Sequence, residues 1–484
     1  MDVVAELREF VARPPEPDPP DPEAVRAGVL ELFHRVAGTV PAYADFLARH
    51  GVAAAQIRTL ADFVRLPLTT KDNYQRRYPL PELCRDGRLD GCDMIAVSSG
   101  STGTPSYWPR FVTDELQVAA RFEQIFHSFG ADRRRTLAVV VFPLGTWVGG
   151  LYTTACCRHL AAKGYPITVI APGNDKDEIL RVVPDLAPSF EQTVLLGYPP
   201  FLKDVIDTGV ARGVAWPAFE IKMVLAGEVF SEEWRDLVGA RAGMRRPTHD
   251  SASLYGTADA GVLGNETPLS VAVRRFLAGH PDAAQTLFGE SRLPTLVQYD
   301  PRSRFFEVHD GTLLFSGDNG IPLIRYHIAD EGGLIGHDEM IAFCGKYGFE
   351  PPPGPRLPFA YVFGRSHFTV SFFGANVFPE NVTVGLEQSD ISGWVTGKFV
   401  LQVVEDADRD RFLSVAVELA PGEEPSPARV RLAADSIRTH LRRLNSEFAH
   451  YVPDDRQTPR ITLHPVGDPE YFPRGVKHRY TRPT

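Results

Sequence analysis

Between Leu137 and Gly227 short, nearly continuous apolar runs alternate with longer stretches of mixed character. The runs are Leu137 to Phe142, Ile167 to Ala171, Thr193 to Gly197 and Met223 to Gly227. Runs of this length, bounded by Gly and Pro, predict buried strands. The intervening Leu151 to Lys163 and Lys176 to Val183 have helical patterning, so the fold class is α/β, with strand-to-helix loops placed to bind a ligand. Upstream, Glu23 to Ala37 predicts a helix, entered through a proline and acid cluster from Pro14 to Pro22. The pattern changes after Arg365. His367 to Phe373, Lys398 to Val404, Phe412 to Leu419 and Arg460 to Pro465 predict strands, and Glu380 to Leu386 a short helix. Val430, Ala433, Ile437, Leu441, Leu444 and Phe448 recur at helical spacing. The resulting order, βαββαβ, is that of a small split-βαβ, ferredoxin-like α+β domain, with its boundary near Gly364.

The chain has 484 residues, 43% of them hydrophobic, which is more than one core usually serves. A net charge of -10 argues against a nucleic-acid surface and leaves no polybasic patch for a membrane. No apolar stretch reaches spanning length, and the acidic start at Asp2, Glu6 and Glu9 does not look like a secretory signal. Five scattered cysteines fit a reducing cytoplasm and lack the spacing of a zinc site. Cys156 and Cys157, in an apolar stretch, read as buried packing residues. Walker A, Gly-x-Gly-x-x-Gly and Gly-x-Ser-x-Gly sequences are absent, which removes the ordinary P-loop, dinucleotide and serine-hydrolase readings.

Candidate chemistry starts after Met94-Ile95-Ala96-Val97, where Ser98, Ser99, Gly100, Ser101, Thr102 and Gly103 form a loop rich in hydroxyls and backbone amides. Such a loop suits a polyphosphate, because glycine lets N–H groups approach the oxygens while Ser and Thr add donors. Farther along come Tyr255-Gly256-Thr257-Ala258-Asp259, Ile324 to Asp330, Gly364-Arg365-Ser366, Gly374 to Pro379 and Arg474-Gly475-Val476-Lys477. In this order, and with Leu66-Pro67-Leu68-Thr69-Thr70-Lys71-Asp72 upstream, they resemble the signature segments of adenylate-forming enzymes of the phenylacetate-CoA ligase-like branch.

The resemblance implies an AMP-binding adenylation domain over residues 1–364 and a mobile C-terminal domain over 365–484. It implies ATP, Mg2+ and CoA, and a reaction that activates a carboxylic acid as acyl-adenylate before passing it to the CoA thiol. Lys477 would bridge carboxylate and α-phosphate, and Asp259 would hold the metal. Asp330 would accept hydrogen bonds from the ribose hydroxyls, Arg365 would contact ribose or phosphate, and Tyr255, with Gly256 and Thr257, would lie against adenine. Gly227-Glu228 matches an element flanking the nucleotide, and Gly374 a glycine on the pantetheine path. Trp147, Gly149 and Gly150 match an acyl-pocket segment, which points to an aromatic or hydrophobic acid.

Two positions depart from the family pattern: Asp259 replaces the usual glutamate, and His367-Phe368 replaces the usual Asp-Asp hinge. A carrier-protein thiol, an amine or a hydroxyl therefore stays open as acceptor, as does a catalytically silent nucleotide-binding protein. A small-molecule acid is the expected partner, with a carrier protein and a second copy of the chain as further ones. The expected location is the cytoplasm.

Overall fold

The computed structural model describes residues 3–17, 19–98, 106–290, 293–365, 369–473 and 480–482. The chain divides into two compact units. The larger comprises Met1–Val97, Tyr107–Gly197 and Leu202–Gly364, and the smaller Ser98–Ser106, Tyr198–Phe201 and Arg365–Thr484.

An 11-stranded sheet organises the larger unit. The apolar runs become Thr136–Val140, Ile167–Ile170, Gln192–Gly197 and Ile221–Ala226, which pair in parallel with one another and with Ser251–Thr257. Helices Val148–Lys163, Lys176–Leu186 and Glu232–Ala242 intervene. Crossover helices cover both faces of such strands, which is why these residues are buried without alternation. Beyond Ser251–Thr257 the sheet turns antiparallel, through Gly261–Asn265, Thr295–Gln298 and Phe359–Arg365 to Leu323–Ile335, Thr312–Gly317 and Phe305–His309. Pro22–Thr39 begins with Pro22 and is capped by Asp21, whose carboxylate accepts from Glu23 N–H at 3.2 Å. Its Phe33 and Val36 join Phe46, Phe63 and Trp108 in a core continuous with Phe315 and Tyr326 of the antiparallel strands.

In the smaller unit Val395–Glu405, Arg411–Leu419 and Arg460–His464 form one sheet, the first pair antiparallel and the second parallel. The expected first strand is Val370–Phe372, which pairs with Ala375–Val377 in a separate hairpin. The long helix is broken at Asn445 into Pro427–Leu444 and Ser446–Tyr451. Asn445 accepts from Phe448 N–H at 3.0 Å and donates to the Asn376 carbonyl at 2.8 Å, so one side chain caps the second helix and ties it to the hairpin. Among the described residues no helix is long and apolar enough to cross a membrane.

Candidate active site

Gly227-Glu228 and Tyr255-Gly256-Thr257 lie at the carboxyl ends of adjacent parallel strands, where open α/β sheets hold their ligands. The Tyr255 strand turns back immediately. Thr257 Oγ1 accepts from Ala260 N–H at 3.1 Å and closes the turn that presents Asp259. Gly256 has a packing reason of its own, since a Cβ there would lie 2.5 Å from the Gly261 carbonyl oxygen. The buried Arg110 donates to the carbonyl oxygens of Ala258 and Asp259, at 2.5 and 3.4 Å, and so holds this turn from outside it.

The strand Leu323–Ile335 brings the second carboxylate. Arg325 and Ala329 both adopt left-handed backbone, with φ of 46° and 65°. Non-glycine residues hold such angles at a cost of about 1–3 kcal/mol, and only where the surroundings over-determine them. Arg325 is so held, because its guanidinium bonds both oxygens of Glu307 and the carbonyl of Leu66. The irregular strand carries Tyr326 and Asp330 to two separate partners. Tyr326 donates its hydroxyl to Asp259 at 2.5 Å, and Tyr255 donates its hydroxyl to Asp330 at 2.7 Å. Both carboxylates are buried. Burial and His309 lower the pKa of His327 below the ordinary imidazole value against the pull of Asp330, so this histidine is neutral at neutral pH.

A third segment completes the cluster. Thr69 bonds the backbone of Arg325 and His327 on either side of Tyr326, at 3.2 and 2.9 Å. The next turn, Lys71–Gln75, is capped by Thr70: Asn73 N–H donates to Thr70 Oγ1 at 3.1 Å and Thr70 N–H to Asn73 Oδ1 at 2.8 Å. That cap sets the direction of Lys71, whose Nζ lies 3.4 Å from Asp259 Oδ1 and 5.8 Å from the ring centre of Trp108.

Ser98 ends the strand Met94–Ser98 and is buried. Ser99 to Gly103, His367, Phe368, Lys477 and the side chain of Arg365 lie outside the described residues. Trp147 starts the helix Val148–Lys163 and is buried, its backbone bridged to Val97. Gly149 packs on Phe142, and a Cβ at Gly150 would meet the Pro143 carbonyl oxygen at 2.3 Å. Gly150 thus has a packing reason of its own, where the helix meets its entry loop. Within the smaller unit, Phe373 and Gly374 turn the hairpin with φ of 53° and 82°. Two positive φ values in succession mark the turn that best fits strand twist. A Cβ at Gly374 would also come 2.4 Å from the Tyr198 ring.

No family model matches the chain. It is 22% identical over 396 residues to the phenylacetate-coenzyme A ligase of Aromatoleum evansii, which covers 79% of this chain and 78% of that protein. The phenylacetate-coenzyme A ligase of Thermus thermophilus is 23% identical over 364 residues, 74% of this chain and 73% of the relative. In structure the chain is similar to 2-hydroxyisobutyryl-CoA ligase, crystallised with 2-HIB-AMP and CoA in the thioesterification state. The TM-score is 0.61 at 14% identity, over 95% of this chain and 89% of that one. The postadenylation state of that ligase, in complex with 2-HIB-AMP, gives 0.55 at 14% identity, over 97% and 90% of the two chains. By sequence the chain is similar to phenylacetate-coenzyme A ligases, and its fold is that of 2-hydroxyisobutyryl-CoA ligase.

The sequence pattern left Lys71, Tyr326, Trp108 and Arg110 without a role at the site. The signal for the first two was present: Lys71 lies in the Leu66 to Asp72 segment and Tyr326 in the Ile324 to Asp330 segment. Trp108 and Arg110, in Ser106–Arg110, carry no pattern that would have singled them out. The donor set around Asp259 fits magnesium, which takes oxygen ligands, keeps much of its water and commonly uses one or two carboxylates beside substrate phosphates. Asp259 is a buried carboxylate on a braced turn, with Tyr326 orienting one of its oxygens.

Proposed function

We propose that this protein activates an aromatic or hydrophobic carboxylic acid with ATP and transfers the acyl group to CoA. The observation that carries the reading is the convergence of three distant segments on two buried carboxylates, Asp259 held by Tyr326 and Lys71, and Asp330 held by Tyr255. The similarity to phenylacetate-coenzyme A ligases supports the substrate class, and the similarity to a CoA ligase crystallised with an acyl-AMP and CoA supports the order of steps.

In the first step a carboxylate oxygen attacks the α-phosphorus, a new P–O bond forms, and the bond to the β-phosphate breaks to release pyrophosphate. Charge on the leaving group must be met as it develops. Asp259 would hold magnesium, which when bound would supply positive charge to the phosphate oxygens. Lys71 adds a positive charge beside Asp259, and Lys477 meets the reacting oxygens from the C-terminal segment. Asp330 accepts from the ribose hydroxyls, oriented by its bond from Tyr255; an ionised acceptor makes these bonds stronger than neutral ones. In the second step the thiol sulfur attacks the acyl carbon, the bond to AMP breaks, and the thiol proton leaves to solvent. Gly374 lies on the pantetheine path, and residues 365–484 form the part that moves between steps. Trp147 borders the acyl pocket. The protein works in the cytoplasm.

A panel of aromatic, aliphatic and amino acids, assayed for AMP and pyrophosphate with and without CoA, tests the reading. The expected result is acid-dependent pyrophosphate release with an aryl acid and thioester only when CoA is present. Acid-dependent adenylation with no thioester would move the acceptor to a carrier thiol, an amine or a hydroxyl. Absence of pyrophosphate exchange with every acid would leave a nucleotide-binding protein.

A further inference from the structure

Two side chains of the strand Ser106–Arg110 reach the Lys71–Asp259 pair, one for each member. Trp108 and Arg110 are two positions apart and so share a face of the strand. Trp108 is fully buried, and the Lys71 ammonium lies 5.8 Å from its ring centre. Arg110, 1% exposed, donates through Nη2 to the carbonyls of Ala258 and Asp259, at 2.5 and 3.4 Å, and through Nη1 to the Pro109 carbonyl at 3.2 Å.

A buried guanidinium is costly unless its charge and its donors are met. Among the described residues the acceptors of Arg110 are all neutral carbonyls, and its Nε is buried without a hydrogen-bond partner. The buried carboxylate that feels its charge is Asp114, whose pKa burial raises against Arg110, the Phe111 N–H, Arg304 and Arg85. Asp114 spends its hydrogen bond on that Phe111 N–H, at 3.0 Å, and Arg110 spends its fork on the Asp259 turn instead of on a counter-charge. The strand behind the guanidinium is fixed. Asp93 N–H donates to the Arg110 carbonyl at 2.9 Å, and a Cβ at Gly320 would lie 2.0 Å from the Pro109 carbonyl oxygen and 3.1 Å from Arg110 N. Thr257 closes the Asp259 turn from within, and Arg110 holds it from a rigid neighbour.

We propose that Arg110 is a positioning residue for Asp259: by holding the two carbonyls of the turn, it sets the direction from which the Asp259 carboxylate meets a divalent cation and the Lys71 ammonium. The inference rests on the reading of Asp259 as the carboxylate that holds the metal. Magnesium demands near-ideal octahedral geometry, so a carboxylate free to turn binds it less well than one held in place. Loss of Arg110 should therefore weaken the cation and spare the nucleotide itself.

Calorimetry of the full chain with a non-hydrolysable ATP analogue, in manganese(II) and again in EDTA, reads what the cation adds to nucleotide affinity without any turnover. Arg110→Lys keeps a positive charge beside Asp114 but loses the fork, and Arg110→Met removes both; the unfolding midpoint checks that each folds. In both variants, or in Arg110→Lys alone should Arg110→Met not fold, the gain from manganese(II) should shrink about tenfold or more, while affinity in EDTA stays within about twofold. With Asp259→Ala already in place the Arg110 substitutions should make no further difference, because a residue that works through Asp259 then has nothing to act on. The proposal is overturned if folded Arg110→Lys keeps the wild-type gain, if both titrations weaken alike as for packing alone, or if the loss is the same with Asp259→Ala in place. A gain that is absent in wild type or unaltered by Asp259→Ala alone overturns the metal reading of Asp259 and this inference with it, so the two failures are told apart.

Discussion

Arg235 and Lys71 each sit among buried carboxylates, but the two clusters are built differently. Arg235 is fully enclosed, and each of its three nitrogens donates: Nη2 to both oxygens of Glu266 at 2.8 and 3.0 Å, Nε to Glu232 at 3.0 Å, and Nη1 to Ser251 at 2.8 Å. Arg274 closes the far side of Glu232, and Ser253 N–H donates to Glu266 at 2.7 Å. Lys71 is 26% exposed and faces Asp259 at 3.4 Å with a flexible ammonium. The first cluster spends its hydrogen bonds inside the protein and serves the packing of Glu232–Ala242 and Pro268–Ala278 on the sheet. The second leaves a partly exposed cation beside a buried carboxylate that has spent one oxygen on Tyr326.

The largest effect should come from breaking the closed cluster. Arg235→Ala leaves Glu232 and Glu266 buried without their main partner, and should cost about 3–5 kcal/mol in denaturant unfolding. The cluster also carries an acid signature. Burial pushes the Glu232 carboxyl up, but Arg235 and Arg274 outweigh it and hold the group below its ordinary value. A lowered folded-state value means that Glu232 contributes stability above the ordinary carboxylate range and loses it as pH falls through the lowered one. In Arg235→Ala that acid-dependent loss should shrink. A variant as stable as wild type would show that the clusters are not different in kind.

Next in size, Asp259→Ala should slow acid-dependent pyrophosphate release by about 10²–10³-fold, with an unfolding midpoint close to wild type. Asp259→Glu should retain activity or improve it, since the longer side chain restores the reach that the family uses. Adenylation by Asp259→Ala at the wild-type rate across a magnesium titration would remove Asp259 from the site.

Asp330→Ala should raise the apparent KM for ATP, equivalent to about 1.5–3 kcal/mol, and leave the acid requirement in place, because on the proposed reading the lost bonds would be to ribose. Calorimetry with ATP checks this, and an unaltered affinity would contradict it. Tyr255→Phe should give the smallest change, about 0.5–1.5 kcal/mol on the same titration, since it removes one bond to Asp330 and keeps the ring. If Tyr255→Phe equals Asp330→Ala, the hydroxyl rather than the carboxylate is the dominant contact.

Particular residues show how far pattern alone could reach. Thr193 to Gly197 and Met223 to Gly227 announced their strands because residues buried on both faces need no polar alternation. Leu323–Ile335 was harder to read, because its bulges depend on bonds from Arg325 to Glu307 and Leu66, which are distant in sequence. Gly150 matches an acyl-pocket segment in sequence, and the Pro143 carbonyl oxygen, 2.3 Å from where a Cβ would stand, gives it a packing reason that no local pattern carries. The helix from Val430 to Phe448 kept its periodicity across Asn445, where side-chain bonds end one helix and start the next.

The sequence by itself determined the α/β class and the last three strands of the smaller unit, and by resemblance it marked Asp259, Asp330 and Tyr255 as candidates. Those features rest on local periodicity and on short contiguous segments, which survive in one dimension. Only the tertiary structure decided that Lys71 and Tyr326 meet at Asp259, that Tyr255 holds Asp330, and that Arg110 reaches the turn carrying Asp259. Those meetings depend on strand pairing and on non-glycine residues forced to positive φ, whose energies come from partners far along the chain.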